Sequence, residues 1–271
     1  MRSPNTMTVP PRHIEDGQSA LGSVNSVQRV GSTVVRPAGS WSVAVHRLLR
    51  HLSSKAFAYS PIVISLAEDR EVLSYIDGEV AMRPWPTSLL ADEGIVAVAQ
   101  MLSAYHHAVT DYVPQPNSVW RVPGVQWRDG MIVRHGDLGP WNMVWKVDKL
   151  VGLIDWDFAE PGYPIEDVAQ IAWDCVPLYP PKKSLQAGVE PEDQLRRLKI
   201  LCDAYGVAIA LVIDKVAQMQ AREFFRLKTI GETGEQPWLS WLQKGGLEDI
   251  ASASQWLYEA YSPTVHQPNL R

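Results

Sequence analysis

The chain has 271 residues, 46% of them apolar and 20% charged, and a formal net charge of −5 at pH 7. That is the composition of an ordinary globular protein, long enough for one large domain or two lobes around a buried core. The acidic balance argues against nucleic-acid binding, which leaves a basic footprint, and no apolar run approaches the roughly 18 residues of a membrane span.

Residues 1–19 are rich in Pro, Ser and Thr and lack the apolar core of a secretory signal, so they read as a disordered tail. Next, Ser26–Val30 and Thr33–Arg36 are β-rich runs around Gly31-Ser32, the pattern of a hairpin. Pro37 ends the second strand. Ser40 can cap a helix whose apolar positions, Trp41, Val45, Leu48, Leu49 and Leu52, recur at helical spacing. Pro61–Leu66 and Glu71–Ile76 read as two more strands around the turn Glu68-Asp69-Arg70. Residues 20–76 are thus expected to form a small sheet with one helix.

From Ser88 the character turns helical. Ile95, Val98, Ala99, Leu102 and Tyr105 mark one helix, with Asp92 and Glu93 in its first turns, where the helix dipole favours acids. A short β segment over about 131–158 follows. Further helices are expected over Asp167–Trp173, Pro191–Tyr205, Val207 to about Leu227, and Trp238–Tyr261. The two cysteines, Cys175 and Cys202, lack metal spacing and read as buried reduced thiols in a cytoplasmic protein.

The polar residues of the β segment carry the chemistry. Val133-Arg134-His135-Gly136-Asp137 leads to Asn142 after Leu138-Gly139-Pro140-Trp141, and Leu153-Ile154-Asp155-Trp156-Asp157 follows. Two carboxylates and an amide, each leading out of an apolar run, are what a magnesium-dependent phosphoryl-transfer centre requires. Asp137 and Asn142 have the separation of Asp and Asn in the kinase catalytic loop, and Asp155 stands where the metal-binding Asp of D-F-G would follow.

These residues resemble the aminoglycoside phosphotransferase-like branch of the protein-kinase-like fold. His135-Gly136-Asp137 is similar to its H-G-D, Ile154-Asp155-Trp156-Asp157 to its metal motif, and Glu166-Asp167-Val168-Ala169 to the segment that follows. Leu73–Glu79 is similar to its lobe-connecting hinge. The resemblance covers roughly residues 22–260. It implies an α+β, two-lobed protein-kinase-like fold: a small N-terminal antiparallel sheet lobe over 20–76 and a larger, mostly helical C-terminal lobe over 77–271. It also implies that Asp137 is the catalytic base, that Asn142 and Asp155 hold Mg2+, and that backbone groups at Ser74 and Ile76 bind the adenine edge of ATP or GTP.

The chain departs from that pattern in its first lobe. A kinase-like lobe supplies a strand Lys paired with a helix Glu, yet no Lys lies between Met1 and Ser54. Arg36 occupies the matching place, either as a planar phosphate-binding cation or as an exposed charge at a strand end. His46 stands on the helix where Glu is expected, facing the site, hydrogen-bonded or facing solvent. Gly22 and Gly31 do not form a Gly-rich loop. In the second lobe Gly139 and Trp141 replace the His and Gly common in H-G-D-x-H-x-x-N. Trp141, Trp145, Trp156 and Trp173 crowd the motifs, as pocket walls for a cation or flat ring or as core. Asp157, Asp174 and Glu160 are candidate contacts to an amine-bearing acceptor, Glu160 reading equally as part of a solvated face, and Trp141 is a candidate contact to the acceptor ring. Adjacent His106 and His107 diverge on a helix and suit packing better than a shared metal.

The expected protein is a small-molecule kinase that phosphorylates a hydroxyl of an aminoglycoside-, amino-alcohol- or sugar-like compound. Its partners would be that acceptor and a nucleotide, without nucleic acid or membrane. The alternative is a pseudokinase that binds nucleotide or ligand with little turnover.

Overall fold

The computed structural model describes residues 14–17, 19–21 and 26–261. Of the expected tail, residues 1–13 and 18 lie outside the described residues, as does Gly22.

The first lobe is a five-stranded antiparallel sheet. Its strands are β1 (Ser19–Leu21), β2 (Ser26–Val30), β3 (Thr33–Pro37), β4 (Val63–Leu66) and β5 (Arg70–Ser74), in the order β1-β2-β3-β5-β4. The hairpin register pairs Val30 with Thr33 around Gly31-Ser32, and the Asp16 carboxylate accepts the Gly31 N–H at 2.7 Å. Between β3 and β4 lies α1 (Ser42–Ser54), one residue short of the expected start: Ser42 Oγ, and not Ser40, meets the preceding turn by accepting the Gly39 N–H at 3.0 Å. Its apolar stripe of Val45, Leu48, Leu49 and Leu52 is fully buried, while Arg47 and Arg50 face solvent.

The second lobe opens with β6 (Glu79–Val80), a short α2 (Thr87–Leu90) and the long α3 (Asp92–Ala108). The motif segment folds as β7 (Ile132–Arg134), β8 (Met143–Lys146), β9 (Lys149–Leu153) and β10 (Glu160–Gly162). β6, β8 and β9 form one small sheet, and β7 pairs antiparallel with β10. The helices α4 (Pro164–Asp174), α5 (Pro181–Ala187), α6 (Gln194–Tyr205), α7 (Ile209–Glu232), α8 (Trp238–Gln243) and α9 (Gly246–Tyr261) complete the chain. Two of the differences from the sequence expectation have a plain local cause. The pattern over Trp238–Tyr261 is two helices, because Gly245 adopts φ +85° and turns the chain. α5, opened by Pro181 at its first turn, was not anticipated.

One apolar core runs through both lobes. Leu48, Leu49 and Leu52 of α1 join a cluster with Leu102 and Tyr105 of α3, Leu153 and Trp156. Cys175 and Cys202 are free and buried, as the sequence implied. Among the described residues no helix is long and apolar enough to cross a membrane.

Candidate active site

β7 runs buried into the loop that carries Asp137, and β9 runs buried into Asp155; each loop starts where its strand's apolar residues end. The two loops are stitched together. The Ile154 N–H donates to the Asn142 carbonyl at 2.9 Å. His135 Nε2 lies 3.1 Å from the Ile154 carbonyl, and the Asp137 N–H donates to His135 Nδ1 at 3.2 Å. The ring must therefore be the neutral Nε2–H tautomer. Burial agrees, lowering the His135 pKa to about 4. Beneath, the buried Asp167 carboxylate accepts the His135 backbone N–H at 3.2 Å and faces His106 Nε2 at the same distance. His106 is thus a packing residue, and His107 is exposed.

Gly136 has φ +81°, and a Cβ there would run into the Phe158 carbonyl. This explains Gly between the His and Asp of the motif, since any other residue would displace one loop from the other. The Trp141 indole lies over Gly139, where a side chain would collide with it. The exchange of both residues relative to the family pattern is therefore one compensated change.

Asp137, Asn142 and Asp155 come together. Asn142 Nδ2 donates to the Asp137 carboxylate at 2.7 Å and to its carbonyl at 2.9 Å, and the Trp141 indole N–H approaches the carboxylate at 3.3 Å. Burial first, and then repulsion from Asp155, pushes the Asp137 pKa up to about 7. Asp155 takes the left-handed conformation (φ 59°, ψ 63°), and its side chain is 39% exposed toward the cleft. Asn142 and Asp155 offer oxygen donors of the kind a hard divalent cation prefers, and such a cation would relieve the repulsion between Asp155 and Asp137. No group of three or more His, Cys, Asp and Glu holds a metal by itself among the described residues. Phosphate oxygens and water would have to complete the coordination.

Arg36 reaches this centre from β3. It is 8% exposed, and its guanidinium meets Glu71 at 2.7 Å, Asp155 at 3.1 Å and Asp157 at 2.6 Å. Burial works to lower its pKa, but Asp157, Asp155 and Glu71 outweigh that and raise it. The exposed strand-end reading is excluded. Glu71 sits directly across the ladder from Arg36 on β5 and is hydrogen-bonded from behind by buried His46. A strand carboxylate, braced by a helix His, thus stands in for a helix carboxylate. Arg121 closes the network, donating to Asp157 at 3.0 Å with its guanidinium over the Trp41 and Phe158 rings.

The sequence reading passed over Glu71 and Arg121. Glu71 carried a faint signal: it shares the inward phase of β5 with buried Leu73, where a lone acid is out of place. Arg121 carried none, because it lies in an irregular segment without periodicity. Among the expected acceptor contacts, Asp157 is corrected: it is 3% exposed and held by two arginines, so it does not face an acceptor. Trp141 is 38% exposed beside Asp137, and Asp174 lines a cavity with Trp173 and Tyr179. At the hinge, the Ser74 N–H already donates to the Ile62 carbonyl at 2.8 Å, so an adenine contact there falls to its carbonyl. The Ile76 side chain packs against Gly152 of β9.

With that geometry in place, comparison with known proteins is informative. Residues 119–201 match the family described as Phosphotransferase enzyme family. The trifolitoxin immunity protein of Rhizobium leguminosarum bv. trifolii is 34% identical over 194 residues, 69% of this chain and 72% of that protein. The fold is shared with an amicoumacin kinase solved with AMP-PNP and Ca2+, at a TM-score of 0.60 and 11% identity, covering 92% of this chain and 91% of that one. It is also shared with a choline/ethanolamine kinase family protein from Mesorhizobium loti, at 0.57 and 15% identity, covering 96% and 91%. The two-lobed, protein-kinase-like architecture is thereby established.

Proposed function

The chain belongs to the phosphotransferase enzyme family, and on that premise we propose that it moves the γ-phosphoryl of ATP or GTP to a hydroxyl of a small molecule with Mg2+. The observation that carries this reading is the meeting of Asp137, Asn142 and Asp155 at the mouths of two stitched loops.

Asp137 receives the acceptor hydroxyl's hydrogen bond and aligns its oxygen with the γ-phosphorus. The new O–P bond forms as the bridging oxygen of the nucleotide departs with the diphosphate, and the hydroxyl proton passes to the Asp137 carboxylate. Burial, which raises its pKa, suits the Asp137 carboxylate to take that proton and then release it to water. Asn142 and Asp155 hold the cation, which neutralises phosphate charge when bound. Arg36, fixed by Glu71 and His46, supplies the first lobe's positive charge, and its planar fork suits phosphate oxygens. Backbone groups of Ser74 and Ile76 take the adenine edge, with the Ser74 carbonyl as acceptor.

A second reading, nucleotide binding without turnover, draws on one observation: Arg36 already meets Asp155, so cation and arginine compete for that carboxylate. The deciding experiment measures ADP and GDP release with Mg2+ across a panel of hydroxyl compounds, for the parent protein and Asp137→Asn. Acceptor-dependent release in the parent, lost in the variant, supports the kinase. Nucleotide binding without release across the panel supports the second reading.

A further inference from the structure

Asp137 opens onto a cleft formed by two adjoining cavities. The inner one, about 140 Å³, has Gly136, Asp137, Gln170 and Phe158 on its walls. The outer one, about 350 Å³, reaches Asp174, Tyr179, Lys183 and Asp249. Trp173, Trp238, Trp241 and Glu223 border both, so the two are halves of one trough.

Two carboxylates of this trough are already held by arginine. Glu160 is held by Arg134 and by Arg226, the latter at 2.9 Å. Glu223 is met by Arg222 at 3.0 Å and by Arg226 at 3.2 Å. Asp249 lies 3.3 Å from Lys183, and the Tyr179 hydroxyl donates to Asp174. A ligand carrying several ammonium groups needs a free carboxylate for each, and here Glu160 and Glu223 are already taken up by arginines. Placing an ammonium group on Glu160 would mean breaking its buried pair with Arg134, which leaves buried charge uncompensated.

What the trough offers instead is ring surface. Trp238 lies edge-on to Phe158 with centroids 5.8 Å apart, and Trp241 stands 6.0 Å from the same ring while remaining 37% exposed. The Gln170 side-chain oxygen and the Trp173 indole N–H are both buried without a hydrogen-bond partner in the protein. A hydroxyl can donate to the one or accept from the other.

We infer that the acceptor is a hydroxyl-bearing compound of low net charge whose flat ring lies against Trp173 and Trp241, and not a polycationic amino sugar. This rests on the kinase reading above, and it narrows the acceptor class that the sequence left open. Trp241 is the residue to test, because its partial exposure lets the ring be removed without emptying the core.

Calorimetric titration of the full chain compares uncharged ring alcohols (tryptophol, quinolinemethanol) with kanamycin at low and high salt, and nucleotide-product release is measured with the same compounds. The expected result is ring-alcohol binding that is insensitive to salt, weakened about fivefold to tenfold by Trp241→Ala and largely restored by Trp241→Phe. Tighter, strongly salt-dependent binding of kanamycin that ignores Trp241→Ala overturns the inference, as does failure of both classes to bind. Turnover of kanamycin alone would refute the inference while supporting the kinase. Ring-alcohol binding with the Trp241 effect, but no product release from any acceptor, would refute the kinase and leave the pocket assignment standing.

Discussion

Arg36 answers three carboxylates with one guanidinium, and that geometry sets what a substitution there does. Arg36→Lys keeps the charge but loses the planar fork. It should raise the KM for nucleotide by about tenfold or more while leaving a folded protein. Arg36→Ala leaves buried Glu71 and Asp157 without their shared cation, and unfolding in denaturant should show a loss of about 3–5 kcal/mol. His46→Ala should act on nucleotide use much more weakly, because Glu71 still holds the guanidinium directly. Asp174 makes a separate, pH-dependent prediction. Burial pushes its pKa up to about 6, from 3.8 in the unfolded chain, against the opposing Tyr179 hydrogen bond. A carboxyl raised in this way favours the folded state when protonated. Its contribution is complete below pH 4 and is lost as pH rises through 6. Asp174→Asn should gain on the parent over that window, by at most roughly 3 kcal/mol in thermal-melt series.

At the scale of elements, the site depends on two loops keeping register, and Gly136 is where they come nearest. Gly136→Ala must accommodate both φ +81° and the Phe158 carbonyl. Stability should fall by about 1–3 kcal/mol. Turnover should fall by about hundredfold, since a displacement near 1 Å is enough to misalign the attacking oxygen. Unchanged kinetics in a folded variant would mean that the two loops need not touch. β3 and β5 matter for a similar reason: their register places Arg36 opposite Glu71. A shift of one residue would turn Arg36 away from the site. That pairing was invisible as a pair, because the sequence shows each strand but not which residues face each other across the ladder.

For the molecule as a whole, the continuous core predicts cooperative behaviour. α1 belongs to the first lobe in sequence, but its apolar stripe packs with α3, Leu153 and Trp156 of the second. Leu49→Ala, at a position with no exposure, should cost about 2–5 kcal/mol. It should lower a single unfolding transition seen alike by tryptophan fluorescence and far-ultraviolet circular dichroism. Two separated transitions would show that the lobes fold apart. A fragment of residues 20–76 should not fold alone, since it would expose that stripe to water.

How much of this was legible follows from the range of each interaction. Most strands and helices, and the spacing of His135-Gly136-Asp137, Asn142 and Asp155, are written locally, so the sequence by itself determined most of the elements and the candidate site residues, and the resemblance those residues carry supplied the fold class. The compensated exchange at Gly139 and Trp141 was visible only as an oddity. The partners of Arg36, the burial of Asp157, the bracing of Glu71 by His46 and the pairing of Glu160 with Arg134 and Arg226 join residues far apart in the chain. Only the tertiary structure decided these. A charge in a sequence carries no record of what will lie beside it, and it is the partner and the burial that make a carboxylate a free ligand, a held one or a base.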